Sequence, residues 1–448
     1  MKGKTPYIIM LITLLISLIT LTLNPKTAHA EDTIYIRPDG SIDPSTAPIS
    51  RAGNVYTFTA NIYESIVIER SNIIIDGNGY TLQGSPPSYG FTLTNRNNVT
   101  IRNVLINGFR YGIFLNFSAN CIIELNAIAN CDRGGVWLQG STAITIAKNA
   151  IANNYCGILL TWSNNTNTIT NNTIRNNPFG IMLIGSINNM ITENTIAKNT
   201  LGGIYLDRSD NNQIYHNNII NNTPQVVLSD SPTCTWDNGY PSGGNYWSDY
   251  TGTDNNGDGI GDTPYIINEN NRDRYPLMNP RGIHDLAVTN IVISKTVIGQ
   301  GYSANITATI QNQGSQTQIF DLTIYANTSI IKTLQLYLIS GKTTTRTIIW
   351  NTTGWTKGAY MLKASVTIIP AETDTADNTL IYGIVKVTVP GDVDGDRDID
   401  IYDVVKIASS YGSKIGEPRY VPNCDIDGNG QINIYDAVIA TSRYGYKE

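Results

Sequence analysis

Two twelve-residue stretches near the C-terminus, Asp392 to Asp403 and Asp425 to Asp436, place oxygen-bearing side chains at matching positions. In the first these are Asp392, Asp394, Asp396, Asp400 and Asp403, with Asp398 at position 7. In the second they are Asp425, Asp427, Asn429, Asn433 and Asp436, with Gln431 at position 7. Side-chain oxygens at positions 1, 3, 5, 9 and 12, joined by a backbone carbonyl at 7, are what calcium takes from a tightly turned loop. A merely solvated acidic turn has no reason to repeat that spacing in a second copy further along the chain. Calcium is therefore the expected cofactor. A third stretch, Asp254, Asn256, Asp258 and Asp262 with Gly259 at position 6, begins the same way but has Tyr265 at position 12. A structural calcium loop and an Asx-rich turn both fit it.

Other chemistry has less material. Apart from His29 in the leader, the histidines are His216 and His284, which leaves little from which to build a serine or cysteine triad. Soft copper sites draw on Cys, Met and His, and Met182, Met190, Met278 and Met361 are scattered. Hydrolysis of a glycosidic bond needs two carboxylates at a separation set by mechanism. Asp207 and Asp230, one period of a repeat apart, are expected to stack on neighbouring turns, and Asp132, Arg133, Glu124 and Asp210 are further candidates. A turn-facing acid on a solvated surface is the ordinary explanation for each.

The repeat that would position these groups is set by glycines at 112, 135, 157, 180 and 203, with Val226 next in count. Isoleucines at 101, 123, 146, 169, 191 and 214 keep the same beat, as do asparagines at 103, 126, 149, 172, 194 and 217 and serines at 118, 141, 163, 186 and 209. A short, near-constant period made of β-branched runs, Gly and Asn argues a solenoid of strands. The chain is expected to wind a parallel β-helix in which like residues stack about 4.8 Å apart. Isoleucines then fill the core, asparagines take left-handed turn positions, and glycine permits sharp strand entry. Period-two alternation turns the column Phe114, Trp137, Leu159, Met182 and Tyr205 outward. Its aromatic members Phe114, Trp137 and Tyr205 are candidate glycan-stacking residues; burial beneath a cap, loop or neighbouring domain is the plainer alternative.

Lys2, Lys4, an apolar run from Tyr7 to Leu23 and Ala28-His29-Ala30 fit a secretory signal spanning 1–30, with an uncleaved anchor as the alternative. No later stretch is long and apolar enough to span a bilayer. The formal charge is −6, and removal of Lys2, Lys4 and Lys26 with the leader takes it to 27 − 36 = −9, which disfavours nucleic acid as a partner. Five cysteines imply no disulfide framework, and Cys131 and Cys156 are expected to be buried as small apolar residues.

The run Gly244-Asn245-Tyr246-Trp247-Ser248-Asp249-Tyr250, followed by Asp254 to Asp262 and Asn271 to Leu277, resembles the end of a NosD-type domain. That resemblance implies a right-handed parallel β-helix, with caps, over 31–281, of the kind found in carbohydrate-binding and sugar-hydrolysing proteins. Alternating runs at Asp285 to Ser294, Ser303 to Gln311 and Ile319 to Tyr325 argue a β-sandwich over 282–390. His284 to Val288, Asn312-Gln313-Gly314 and Ala376-Asp377-Asn378 resemble a cell-adhesion-related immunoglobulin-like domain. The doubled loops of 391–448, each leading into a short helix, resemble a type I dockerin, which implies a cohesin-like protein partner. Arg397 stands where that family has a turn glycine, and Ile401-Tyr402 and Ile434-Tyr435 replace its small hydroxyl residues. The whole reads as a mainly β, secreted or cell-surface protein that attaches to extracellular polysaccharide. Glycan cleavage, a non-enzymatic adhesive or structural role, and copper delivery are the other readings.

Overall fold

A computed structural model describes residues 33–282, 284–314, 316–372 and 374–447. The signal segment and its cleavage point lie outside the described residues. Among these residues no helix is long and apolar enough to cross a membrane.

Stacking of the periodic columns produces three mainly parallel sheets of ten, eight and nine strands, and the ten-stranded one includes Tyr111–Asn116, Gly134–Gln139, Cys156–Thr161, Phe179–Ile184 and Gly202–Asp207. The register is column upon column: Ile113 pairs with Val136, Ile158 with Ile181 and Ile181 with Ile204. The isoleucine column from Ile101 to Ile214 is entirely buried, as its period requires. At Gly157 a Cβ would stand 2.5 Å from the carbonyl oxygen of Gly180, so this column consists of glycine because the next coil's backbone occupies the space.

Two details of register differ from the sequence reading. The last full coil is shorter than counted, since Ile204 pairs with Val226, so Gln225 rather than Val226 follows Gly203. The asparagine column also begins one coil later than counted. Val104, not Asn103, lies beneath Asn126 and donates to its side-chain oxygen, and Asn245 completes the stack above Asn217. Nor do the ladder asparagines take the left-handed turn. That conformation falls on the residue before each of them, Leu125, Lys148, Asn171, Glu193 and His216, at φ between 54° and 60°. The buried amide must face inward to bond neighbouring coils, so the chain reverses one position earlier. The left-handed cost of roughly 1 kcal/mol or more per residue is offset by the bonds the amide makes.

Trp236 and Trp247 are buried at the open end of the solenoid, and Tyr265 stacks on Trp247 at 4.1 Å. Asp273, with no exposed surface, anchors this cap by accepting from the Asn245 amide, the Trp247 indole and the Tyr275 amide at 2.6, 2.9 and 3.0 Å. Burial dominates these bonds and pushes its carboxyl from 3.8 up to about 6. A raised acid binds more protons folded than unfolded, so its contribution favours folding below pH 4 and is lost as pH rises towards 6. A displacement of that size corresponds to about 3 kcal/mol. Between pH 4 and 6 the wild-type solenoid is expected to lose thermal stability relative to Asp273→Asn, and parallel melting curves for the two would refute this.

The following sandwich packs a three-stranded sheet, Leu286–Ile293, Ser303–Asn312 and Thr343–Asn351, on a five-stranded sheet containing Gln318–Ala326 and Ser329–Leu338. It sits on the solenoid's eight-stranded sheet, where Ala127, Ala129, Ala150 and Ala152 make room for Ile319 and Tyr337. There the Tyr337 hydroxyl donates to the Leu125 carbonyl at 2.5 Å and the Arg175 guanidinium to the Ile319 carbonyl. Last come two short helices, α1 (Ile401–Ser410) and α2 (Ile434–Thr441), each preceded by one of the acidic loops.

Candidate functional site

The ten-stranded sheet presents its outer face to solvent, and the column Phe114, Trp137, Leu159, Met182 and Tyr205 is half-buried along it. Sequence reading missed a second column beside it, containing Tyr89, Tyr111 and Phe179. Tyr111 lies across Gly134 of the next coil, with ring carbons 3.1 and 3.2 Å from where a Cβ would be. Tyr89, Tyr111, Phe114 and Trp137 form a continuous platform with centroid separations of 5.6 Å (Tyr89–Tyr111), 5.5 Å (Tyr89–Phe114), 4.8 Å (Tyr111–Trp137) and 4.4 Å (Phe114–Trp137). The Trp137 indole donates to the Thr161 hydroxyl at 2.9 Å, which fixes its ring orientation. Further along, Phe179 meets Tyr155 and Tyr205 edge to face. One turn away stand Phe117 and Trp162, 62% and 60% exposed, each folded over a glycine of the following coil, Gly140 and Gly185.

This alternation of ring and glycine is a packing solution. Coils about 4.8 Å apart leave no room for a large side chain to lean axially unless its neighbour has none. The signal was present as Phe117, Gly140, Trp162, Gly185 and Arg208 at the solenoid's period.

Asp207 and Asp230 do not stack. Asp207 pairs with Ser229, while Asp230 follows Arg208 in the ring–glycine column, a consequence of the shorter last coil. Arg208 bridges them, at 2.9 Å from Asp207 and 3.7 Å from Asp230. Cys131 and Cys156 are buried and free, and burial pushes each thiol up to about 12, so neither is a ready nucleophile or soft ligand.

The metal-capable side-chain groups among the described residues are all aspartates of the C-terminal loops: Asp392, Asp394 and Asp403; Asp398, Asp400 and Asp403; and Asp425, Asp427 and Asp436, the oxygens of each group within 4.8 Å. Both loops fold alike. The position 1 carboxylate accepts from the amides at positions 4 and 6, Gly395 and Arg397 in one loop, Gly428 and Gly430 in the other. The position 12 carboxylates, Asp403 and Asp436, close a capping box on α1 and α2. One oxygen of Asp398 is buried without a partner. This donor set fits a hard divalent cation. Asp254 accepts from Gly257 and Gly259 in the same manner, so the 254–262 stretch shares the loop's fold at its start.

Position 6 shows why glycine is expected there: Gly430 has φ 88°, and Arg397 is forced to 83°. Arg397→Gly is expected to stabilise the first loop by about 1 kcal/mol and to tighten its cation binding severalfold, measured by calorimetry. Unchanged affinity would show that the strain is not felt at the site.

Residues 32–200 and 85–252 match the family described as periplasmic copper-binding protein (NosD), and residues 283–380 match CARDB. No curated protein matches the chain. Among solved structures, a CARDB domain from Pyrococcus furiosus, described in complex with di-metal ions, is 22% identical and covers 24% of this chain and 96% of that one at a TM-score of 0.21. The enzymatically active domain of bacteriophage CBA120 tailspike protein 2 is 14% identical, covering 72% of this chain and 57% of that one at a TM-score of 0.32. The β-solenoid thus matches the NosD model over residues 32–252, and the sandwich that follows it matches CARDB over residues 283–380.

Proposed function

We propose that this is an exported attachment protein whose solenoid binds extracellular polysaccharide and whose C-terminal module binds calcium and docks a protein partner. The observation that carries it is the four-ring platform of Tyr89, Tyr111, Phe114 and Trp137 on the sheet face opposite in role to the one the sandwich covers. Flat aromatic faces held in fixed orientation suit pyranose rings, which present apolar C–H faces between polar edges. Calcium at the two loops is structural in this reading, held by Asp392, Asp394, Asp396, Asp400 and Asp403 and by Asp425, Asp427, Asn429, Asn433 and Asp436, with the carbonyls of Asp398 and Gln431. The helices then offer a matched pair of exposed apolar sets, Ile401, Tyr402 and Val405 on α1 and Ile434, Tyr435 and Val438 on α2, to a cohesin-like partner.

The test is retention of the full chain on a panel of polysaccharides. Trp137→Ala is expected to weaken retention about tenfold, from the roughly 1–2 kcal/mol of a lost stacking platform, without lowering the melting temperature of the sandwich. Undiminished retention would remove the platform from the site. Glycan hydrolysis at Asp207 and Asp230 is read from the same incubations as new reducing ends or unsaturated products that Asp207→Asn abolishes.

A further inference from the structure

We propose that the ligand of this face is an anionic polysaccharide, with Arg110 and Arg133 taking the acid groups of sugars that stack on Tyr89, Tyr111, Phe114 and Trp137. The inference rests on the glycan reading above and specifies its substrate class.

Arg110 immediately precedes Tyr111, and Arg133 precedes Gly134, the residue across which the Tyr111 ring lies. The two arginines occupy one column on adjacent coils: the Arg133 amide donates to the Arg110 carbonyl at 3.0 Å. Their backbones are therefore one coil apart, about 4.8 Å. Like charges carried one coil apart in a column favour an anion that serves both. Several other arginines of this solenoid hold a carboxylate, Arg102 with Asp76 at 2.9 Å, Arg208 with Asp207 at 2.9 Å and Arg274 with Asp237 at 2.7 Å, while Arg51, Arg96 and Arg175 donate to backbone carbonyls. Among the described residues Arg110 and Arg133 form no ion pair; Asp132 lies near enough to feel both charges without bonding either, and the Arg110 Nε is buried without a partner.

The aromatic rings explain what the pair faces. Arg110 and Arg133 directly precede Tyr111 and Gly134, which pair with each other, so the two arginines stand at the start of the strands that carry the platform. Gly134 and Cys156 continue the Tyr111 column without bulk, and the Tyr111 ring covers Gly134. A sugar stacked on the rings would then turn its carboxylate or sulfate towards a planar fork of donors suited to two-point recognition. The chain's overall charge is −6, so general attraction works against a polyanion and recognition must be local to this pair.

The experiment compares full-length chain, Arg110→Gln/Arg133→Gln and Trp137→Ala on three polymers: polygalacturonate, a sulfated galactan and a neutral galactomannan. The inference expects retention on one or both anionic polymers to fall at least about tenfold in the double arginine variant, with weak neutral binding unchanged and its melting temperature preserved. Loss on polygalacturonate alone identifies a carboxylate as the group read, and loss on the galactan alone a sulfate. Equal retention of wild type and double variant on the anionic polymers, or preference for the neutral polymer, overturns the inference while leaving the glycan reading in place. No retention of any polymer overturns both.

Discussion

Replacing Asn172 with alanine is expected to cost about 4–6 kcal/mol and to unfold the solenoid near physiological temperature, whereas Asn103→Ala is expected to cost about 1 kcal/mol. Asn172 is wholly buried. Its amide nitrogen donates to the Ile146 carbonyl on the coil below at 2.8 Å, to the Thr170 carbonyl at 3.0 Å and to the Asn194 side-chain oxygen above at 2.9 Å. Its own oxygen accepts from both nitrogens of Asn149 at 2.9 and 3.0 Å. Truncation strands the Asn149 backbone amide, removes a donor from the Ile146 carbonyl and leaves the Thr170 carbonyl with the Lys148 amide alone at 3.2 Å, all in a space water cannot enter; each stranded group costs about 1–3 kcal/mol, and the cavity adds to that. The damage spreads because coils contact only their neighbours, so a broken junction splits the stack in two. Asn103, outside the ladder, gives up a single side-chain bond, to Asp76 at 3.1 Å. Thermal melting of the two variants checks the contrast. Equal losses would mean that the ladder contributes no more than a surface amide.

The same comparison shows what the sequence could and could not reveal. Columns whose residue type never changes, such as Ile123 to Ile214 or Ser118 to Ser209, are visible because stacking makes every coil obey one environment. Two further buried asparagine ladders, Asn154, Asn177, Asn199 and Asn222, and Asn167, Asn189 and Asn212, obeyed the same rule and were overlooked among many other asparagines. The ring–glycine column escaped for a different reason: its residues alternate between largest and smallest, so no single type repeats. Register near Asp207 was misjudged because the coils are not all of one length, and a slip of one position shifts every outward side chain. The covering of the eight-stranded sheet was not legible at all. It depends on Tyr337 reaching Leu125, far earlier in the chain, and an alanine stripe states only that there is room for a close approach. The paired acidic loops were legible because their oxygen-bearing side chains come from a dozen consecutive residues.

Those loops carry the other large effect expected. Removing calcium, the cation proposed for them, from the full chain with a chelator is expected to melt residues 391–447 while the solenoid and sandwich remain folded. The core of this module is small: Val393, Ile399, Ile407, Cys424, Ile426, Ile432 and Ala440 are its buried apolar residues. So few side chains cannot offset the ordering of the whole segment, at about 1–2 kcal/mol per residue for the backbone. Against them stand three aspartates in each loop with oxygens within 4.8 Å of one another, a repulsion that a bound cation removes near neutral pH. Asp403→Ala should reproduce chelation in the first loop by a separable route, since Asp403 also accepts from the Val393 and Asp400 amides at 2.8 and 3.0 Å. Limited proteolysis resolves the outcome, with cuts confined to 391–447 in chelator and in Asp403→Ala, and protection restored by calcium only in the wild type. The second loop gives this unfolding a reach beyond the module. Lys295 of the sandwich, itself buried, donates to the carbonyls of Asp425 and Ile426 at 2.8 and 2.9 Å, and Asn423 accepts from the Thr296 amide at 2.9 Å. Chelation should therefore also raise hydrogen exchange at Thr296 and Val297, because their bonds to Asn423 exist only while the loop is folded. Full protection of 391–447 in chelator would show that the loops hold their shape through backbone bonds alone and would withdraw calcium as the element that folds them.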